Sequence, residues 1–158
     1  MSNEIERRFL VVGDEWRQGA IGKALKQGFL STTKERVVRV RVWGDDAFLT
    51  IKGAAVGVTR AEFEYAIPKA DAEFMLENLC LRPFIEKVRH KILHDGLIWE
   101  LDEFFGENAG LVMAEVELER EDQPLNLPSW VGKEVSLDGR YQNASLAERP
   151  YRLWKDEA

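Results

Sequence analysis

Apolar and charged residues alternate with period two in segment after segment of this chain, and that pattern confines most of it to β-structure. Successive side chains of a strand point to opposite faces, so the alternation describes strands with one apolar face and one charged face. The clearest, ERVVRVRVW, sets Arg39 and Arg41 against Val38, Val40 and Val42. After a turn at Gly44-Asp45-Asp46, AFLTIKG sets Phe48, Thr50 and Lys52 against Leu49 and Ile51. TRAEFEYAI aligns Arg60, Glu62 and Glu64 against Phe63, Tyr65 and Ile67, and FIEKVRHKIL aligns Lys87, Arg89 and Lys91 against Val88, His90 and Ile92. Beyond the Asp95-Gly96 turn, LIWELDEF aligns Glu100 with Asp102, and LVMAEVELE aligns Glu115, Glu117 and Glu119 against Val116 and Leu118. At the N-terminus EIERRFLV places Glu4, Glu6 and Arg8 on one face, with Ile5 and Phe9 on the other; KALKQGFLS is a weaker run.

The period changes from Asp71 to Cys80, which suits a short helix with Asp71 as its cap. The last third, with Pro124 and Pro128, reads as loop until a short helix at 143–148 that Pro150 ends. About eight strands joined mostly by short turns predict a mainly β fold: an eight-stranded antiparallel β-barrel with a few short helices, one domain over residues 1–158.

A net charge of −6 argues against a general nucleic-acid binder but leaves room for a local basic pocket. One cysteine, Cys80, excludes an intrachain disulfide and reads as core packing. His90 and His94 are too few for a zinc site. Charges near the N-terminus oppose a signal peptide, and no apolar run is long enough to span a membrane, which predicts a cytoplasmic protein with no membrane partner.

Alternating charges are most often the solvated face of a half-buried sheet. Here, however, strand after strand repeats one charge type: Glu4/Glu6, Glu62/Glu64 and Glu115/Glu117 against Arg39/Arg41 and Lys87/Arg89. Carboxylates two apart on a strand lie about 7 Å from each other and repel. Three such pairs in one lumen would rise in pKa unless cations neutralised them, and hard divalent ions such as Mg²⁺ or Mn²⁺ suit carboxylate oxygens. Arginine forks suit phosphate oxygens. Together they describe a polyphosphate site, and no glycine-rich phosphate loop exists to serve instead.

The same residues carry a family resemblance. EIERR resembles the ExExK signature of the CYTH superfamily, the triphosphate tunnel metalloenzymes, and KQGFL, RVRV, LTIK, TRAEFEYAI, IEKVRH, WELDEF, AEVELE and EVSLDGRYQNASLA follow in order. The chain is most similar to the short single-domain bacterial members, several of which are inorganic triphosphatases. The resemblance implies a barrel whose polar tunnel binds triphosphate with Mg²⁺ or Mn²⁺. It implies that Glu4, Glu6, Glu115 and Glu117 hold metal, with Glu62, Glu64 and Asp102 at further acidic positions of the metal set. Arg8, Arg39, Arg41, Lys52 and Arg89 match phosphate-binding residues, and Lys87 matches a lysine that activates water. Arg60 and Glu100 point the same way. Arg8 replaces the signature lysine, and Phe29 stands where tyrosine is frequent.

A metal-dependent triphosphate hydrolase is therefore the expected function, with a class IV-like adenylate cyclase and a non-catalytic polyphosphate- or nucleotide-binding module as the alternatives. If the charges line the lumen, the valines and aromatics face outward, and an uncovered apolar surface predicts a homodimer.

Overall fold

The computed structural model describes residues 3–157. Its strands are β1 (Asn3–Val11), β2 (Gly22–Ser31), β3 (Val37–Trp43), β4 (Asp46–Lys52), β5 (Thr59–Ala66), β6 (Ile85–His94), β7 (Leu97–Phe104), β8 (Val112–Glu117) and β9 (Val131–Glu134). Neighbours run β5-β4-β3-β2-β6-β7-β8-β1, and antiparallel pairing of β1 with β5 closes the ring. This is the eight-stranded barrel that the alternation predicts.

β1 holds the closure together because one of its edges serves two strands. Glu4 lies opposite Arg60 of β5, while farther along Phe9 lies opposite Glu134 of β9. β9 falls where the sequence predicts loop: its four residues, VGKE, are too few for a period of two to register. Arg7 points out of the barrel and forks onto Glu134 at 2.7 and 2.9 Å, fastening β9 to the barrel.

Helix α1 (Lys69–Asn78) starts earlier than predicted. Pro68, not Asp71, is its N-cap, since a proline with φ −59° lacks the N–H that a first turn would leave unsatisfied. Asp71 lies in the first turn, where its charge meets the positive end of the helix dipole. Helix α2 spans Asn143–Glu148, as the sequence predicts.

Three apolar clusters hold these parts. Outside the barrel, Ala72 and Leu76 of α1 cover Val40 and Ala47 of β3 and β4. On another outer face, Trp16 and Trp130 close over Phe9, Trp99, Leu101 and Val116. His90, on the outer face of β6, packs edge-on against Trp16, with ring centroids 4.9 Å apart. The third cluster fills one end of the barrel. Phe29, Val37, Ile85, Phe104 and Met113 meet Tyr141, Leu146, Ala147 and Trp154 from the C-terminal segment, so α2 plugs that end. Leu146 is completely buried there. Leu146→Ala should cost about 2–5 kcal/mol of unfolding free energy, read as a lower denaturation midpoint, because the cavity cannot collapse against the rigid barrel wall.

Candidate active site

The pleat turns the charged faces inward, and strand order sorts them by sign. Arg39 and Arg41 of β3, Gln27 of β2, and Lys87 and Arg89 of β6 lie on three adjacent strands. The next four, β7, β8, β1 and β5, carry Glu100 and Asp102, Glu115 and Glu117, Glu4 and Glu6, and Glu62 and Glu64. Arg8 and Arg60 are set among these acids. β4, with Thr50 and Lys52, is the seam. The lumen thus has a cationic wall facing an acidic one.

Depth sorts the charges again. Next to the plug, Arg8, Arg39, Arg41, Lys52, Arg60, Lys87 and Arg89 line the space with only Glu6 and Glu115. Farther out is a cavity of about 200 Å³ bordered by seven carboxylates (Glu4, Glu6, Glu62, Glu64, Glu100, Glu115 and Glu117). Four cations, Arg39, Arg41, Lys52 and Arg89, border it too.

Some acids are neutralised within the protein. Asp102 is 1% exposed and takes both arms of Arg89 at 2.8 and 2.9 Å, with the Lys87 ammonium at 2.7 Å. Burial opposes its charge, but Lys87 and Arg89 hold its pKa below the usual value. Glu115 is likewise held well below its usual pKa, with burial outweighed by Arg8 and Arg89. Glu4 accepts two bonds from Lys52 at 3.1 Å, and its pKa is lowered to about 2 despite burial.

Others are not. Burial together with the charges of Glu115 and Glu4 drives Glu6 well above the carboxylate range, although Arg8 donates to it at 3.0 Å. Burial and the neighbouring Glu4 raise Glu62 to about 7. Burial, Glu4 and Glu100 raise Glu117. The predicted mutual repulsion therefore falls on Glu6, Glu62 and Glu117, while Glu4, Glu115 and Asp102 escape it through cations.

The cationic wall is under-neutralised in turn. Burial and the charge of Arg89 lower Arg39, and burial with Arg39 and Arg89 lowers Arg41 to about 9. The buried Arg39 Nε has no partner among the described residues. Lys87, 2% exposed, is lowered to about 7 by burial and by Arg89 and Arg41, against the pull of Asp102. Around Arg39 and Arg41 the wall is short of negative charge, as an anion-binding surface should be, whereas Arg89 is paired with Asp102 and Glu100.

All thirteen predicted site residues face this one lumen. The sequence missed Gln27, Trp43 and Asn143. Gln27 is wholly buried and receives Arg41 Nε at 2.9 Å; its inward parity in KQGFL was the available signal. Trp43 continues the inward set of Arg39 and Arg41 to the cavity rim. Asn143 comes from the plug, where no period marks it. Arg60 lies 3.7 Å from Glu4, and Glu100 receives Arg89 at 3.2 Å. Phe29 packs in the plug core, a place that asks for no hydroxyl.

A closed antiparallel barrel with a charge-sorted, plugged lumen defines a class, and comparison with known proteins agrees. The CYTH domain model matches residues 2–151, and the chain belongs to that family. It is 46% identical over 156 residues to an inorganic triphosphatase of Acetivibrio thermocellus, covering 99% of this chain and all of that one. To an inorganic triphosphatase of Nitrosomonas europaea it is 38% identical over 149 residues, covering 91% and 96%. The crystal structure of the inorganic triphosphatase NE1496 is similar at 36% identity and a TM-score of 0.63, over 90% of this chain and 96% of that one.

The raised Glu62 carboxyl yields a stability test. Between its unfolded pKa near 4.5 and about 7 the folded state binds more protons than the unfolded state, so this group's contribution to stability falls as pH rises through that window. Glu62→Gln should stabilise the metal-free protein at pH 8 by about 1–2 kcal/mol, read as a higher thermal midpoint. The gain should vanish as pH falls below 4.5, where both states become protonated.

Proposed function

We propose that this chain hydrolyses inorganic triphosphate to pyrophosphate and orthophosphate with the help of a divalent cation. The two-walled lumen is the observation that carries the reading, and the triphosphatase relatives that align over nearly the whole chain support it.

The donor set fits a hard divalent ion. Seven carboxylates border the outer cavity against four cations, and burial together with neighbouring carboxylates raises three of the acids in pKa. A divalent ion held there would offset these carboxylates when a polyanion enters. Among the described residues no three acids already converge as a ready ligand set, so binding must draw them together. Glu4, Glu6, Glu115 and Glu117 would hold Mg²⁺ or Mn²⁺, with Glu62 and Glu64 beside them. Bound there, the ion would neutralise phosphate oxygens as a Lewis acid. Asp102, with both oxygens committed to Arg89 and Lys87, suits orientation of those two residues better than ligation.

The protein's own groups supply the rest. Arg39, Arg41, Arg89 and Lys52 bind the phosphates, and Arg8 completes the inner end, where it is paired with Glu6 and Glu115 at 3.0 and 3.2 Å. A water oxygen attacks the terminal phosphorus, the bridging P–O bond opposite it breaks, and pyrophosphate leaves with its charge against the arginines. Lys87, neutral above about pH 7, accepts the proton of that water. The plug fills the space behind Lys87 with Phe29, Ile85 and Leu146, leaving no room there for a nucleoside and weighing against a cyclase.

We also infer a cytoplasmic homodimer. Among the described residues no helix is long and apolar enough to cross a membrane. α1 and the Trp16–Trp130 cluster cover much of the outer face, but Ile51, Phe63 and Tyr65 on β4 and β5 stay 39%, 38% and 55% exposed. These supply an apolar surface for a second copy. Light scattering at micromolar concentration should give twice the chain mass, and a monomer would refute it.

A phosphate-release panel of triphosphate, long polyphosphate and ATP, with Mg²⁺ and Mn²⁺ and a parallel cyclic AMP assay, tests the function. Triphosphate should be the best substrate, and cyclic AMP should be absent. kcat/KM should rise with pH through about 7 as Lys87 loses its proton in the free enzyme. In kcat the limb should lie higher, because bound phosphates favour the charged amine. Lys87→Ala should remove that limb and lower kcat about 100-fold with little change in KM. Loss confined to KM would make Lys87 a phosphate ligand instead.

A further inference from the structure

We infer that Asn143, on the C-terminal plug, is a positioning residue that aims the Lys87 amine into the lumen. The inference deepens the hydrolase reading and rests on Lys87 being the base.

A chain of hydrogen bonds with forced polarity carries it. A guanidinium only donates, so Arg41 Nε, 2.9 Å away, fixes the Gln27 amide with Oε1 towards it. Gln27 must then present its NH₂ to the plug, where Nε2 donates to Asn143 Oδ1 at 2.7 Å. Asn143 therefore turns its oxygen, not its nitrogen, to this side, and Lys87 Nζ donates to the same oxygen at 2.8 Å. On its other flank Nζ meets Asp102 Oδ2 at 2.7 Å.

A neutral lysine amine has two N–H bonds and one lone pair. With one hydrogen on Asn143 and the other on Asp102, the lone pair is left to face the space that Lys87 lines. Either acceptor alone would let the amine rotate about its last bond. Gln27 is wholly buried, and Ala144, beside Asn143, also lines the lumen, so the polar group is set in a packed wall. Seating the plug and aiming the amine are then one structural event.

The test is a double-mutant cycle in triphosphate hydrolysis with the intact chain. Asn143→Ala should lower kcat on the order of tenfold to a hundredfold, as misplacement of a reacting group does, and leave KM within about twofold. In the Lys87→Ala background the same change should have no further effect, because the group it positions is gone. Leu76→Ala, in the outer cluster under α1, is the control for lost stability alone: assayed well below its midpoint, it should lose stability and keep kcat. Equal and independent losses in both backgrounds would overturn the inference, as would a fall in kcat matched by Leu76→Ala, or an unchanged Asn143→Ala enzyme. Wild-type protein inert towards triphosphate would overturn the hydrolase reading and this inference together. A Lys87→Ala enzyme with normal kcat would overturn the base assignment and the inference with it. The inference fails alone only when both readings stand and the cycle shows no coupling.

Discussion

A carboxylate and an ammonium enclosed by eight strands share a space that water screens poorly, so each inward charge must be set against another or be neutralised, the acid by taking up a proton and the base by losing one. Much of this protein follows from that constraint. At the inner end the constraint is met internally: Asp102 takes Arg89 and Lys87, and Glu115 takes Arg8. Elsewhere in the lumen it is not met, and Glu6, Glu62 and Glu117 are pushed up while Arg39 and Arg41 are pushed down. Buried ion pairs add little net stability over a well-packed apolar core, so a lumen like this is poor value as scaffolding. Under the proposed function its imbalance has a use as a binding surface: a polyanion would relieve the arginines, and divalent cations would relieve the acids.

The apolar parts of the fold keep this arrangement rigid. Three clusters brace the barrel, two on the outer face and one inside its plugged end. The inner cluster matters most for chemistry, because it presses α2 against the strand ends where Lys87 and Gln27 emerge. Dry packing around the amine is also the largest reason that its pKa falls. Plug, Lys87 and Gln27 are therefore held together at that end of the lumen.

Most of the barrel and its site was legible in the sequence for a simple reason. A strand of period two shows its inward face directly, so Arg39 and Arg41, or Glu115 and Glu117, declare a shared direction without any knowledge of neighbours. What the period could not show was which charges meet. Asp102 looks like any other lumen acid in LIWELDEF, and only the register of β6 with β7 sets it opposite Arg89. β9 and the inward role of Asn143 were hidden for a different reason: they come from long-range packing of the C-terminal segment, and neither four strand residues nor a six-residue helix carries a readable period. Pro68 displaced Asp71 as the cap of α1 because a fixed backbone angle outweighed a side-chain preference.

The central claim is that phosphates lie along the β3-β2-β6 wall while divalent ions lie between them and the acidic wall. A crystal structure with Mn²⁺ and a non-hydrolysable imidotriphosphate tests it most directly. Anomalous scattering should place the ions against Glu4, Glu6, Glu115 and Glu117, with phosphate oxygens on Arg39, Arg41 and Arg89. Anomalous peaks outside the lumen, or a phosphate chain seated on the outer surface of the barrel, would contradict it.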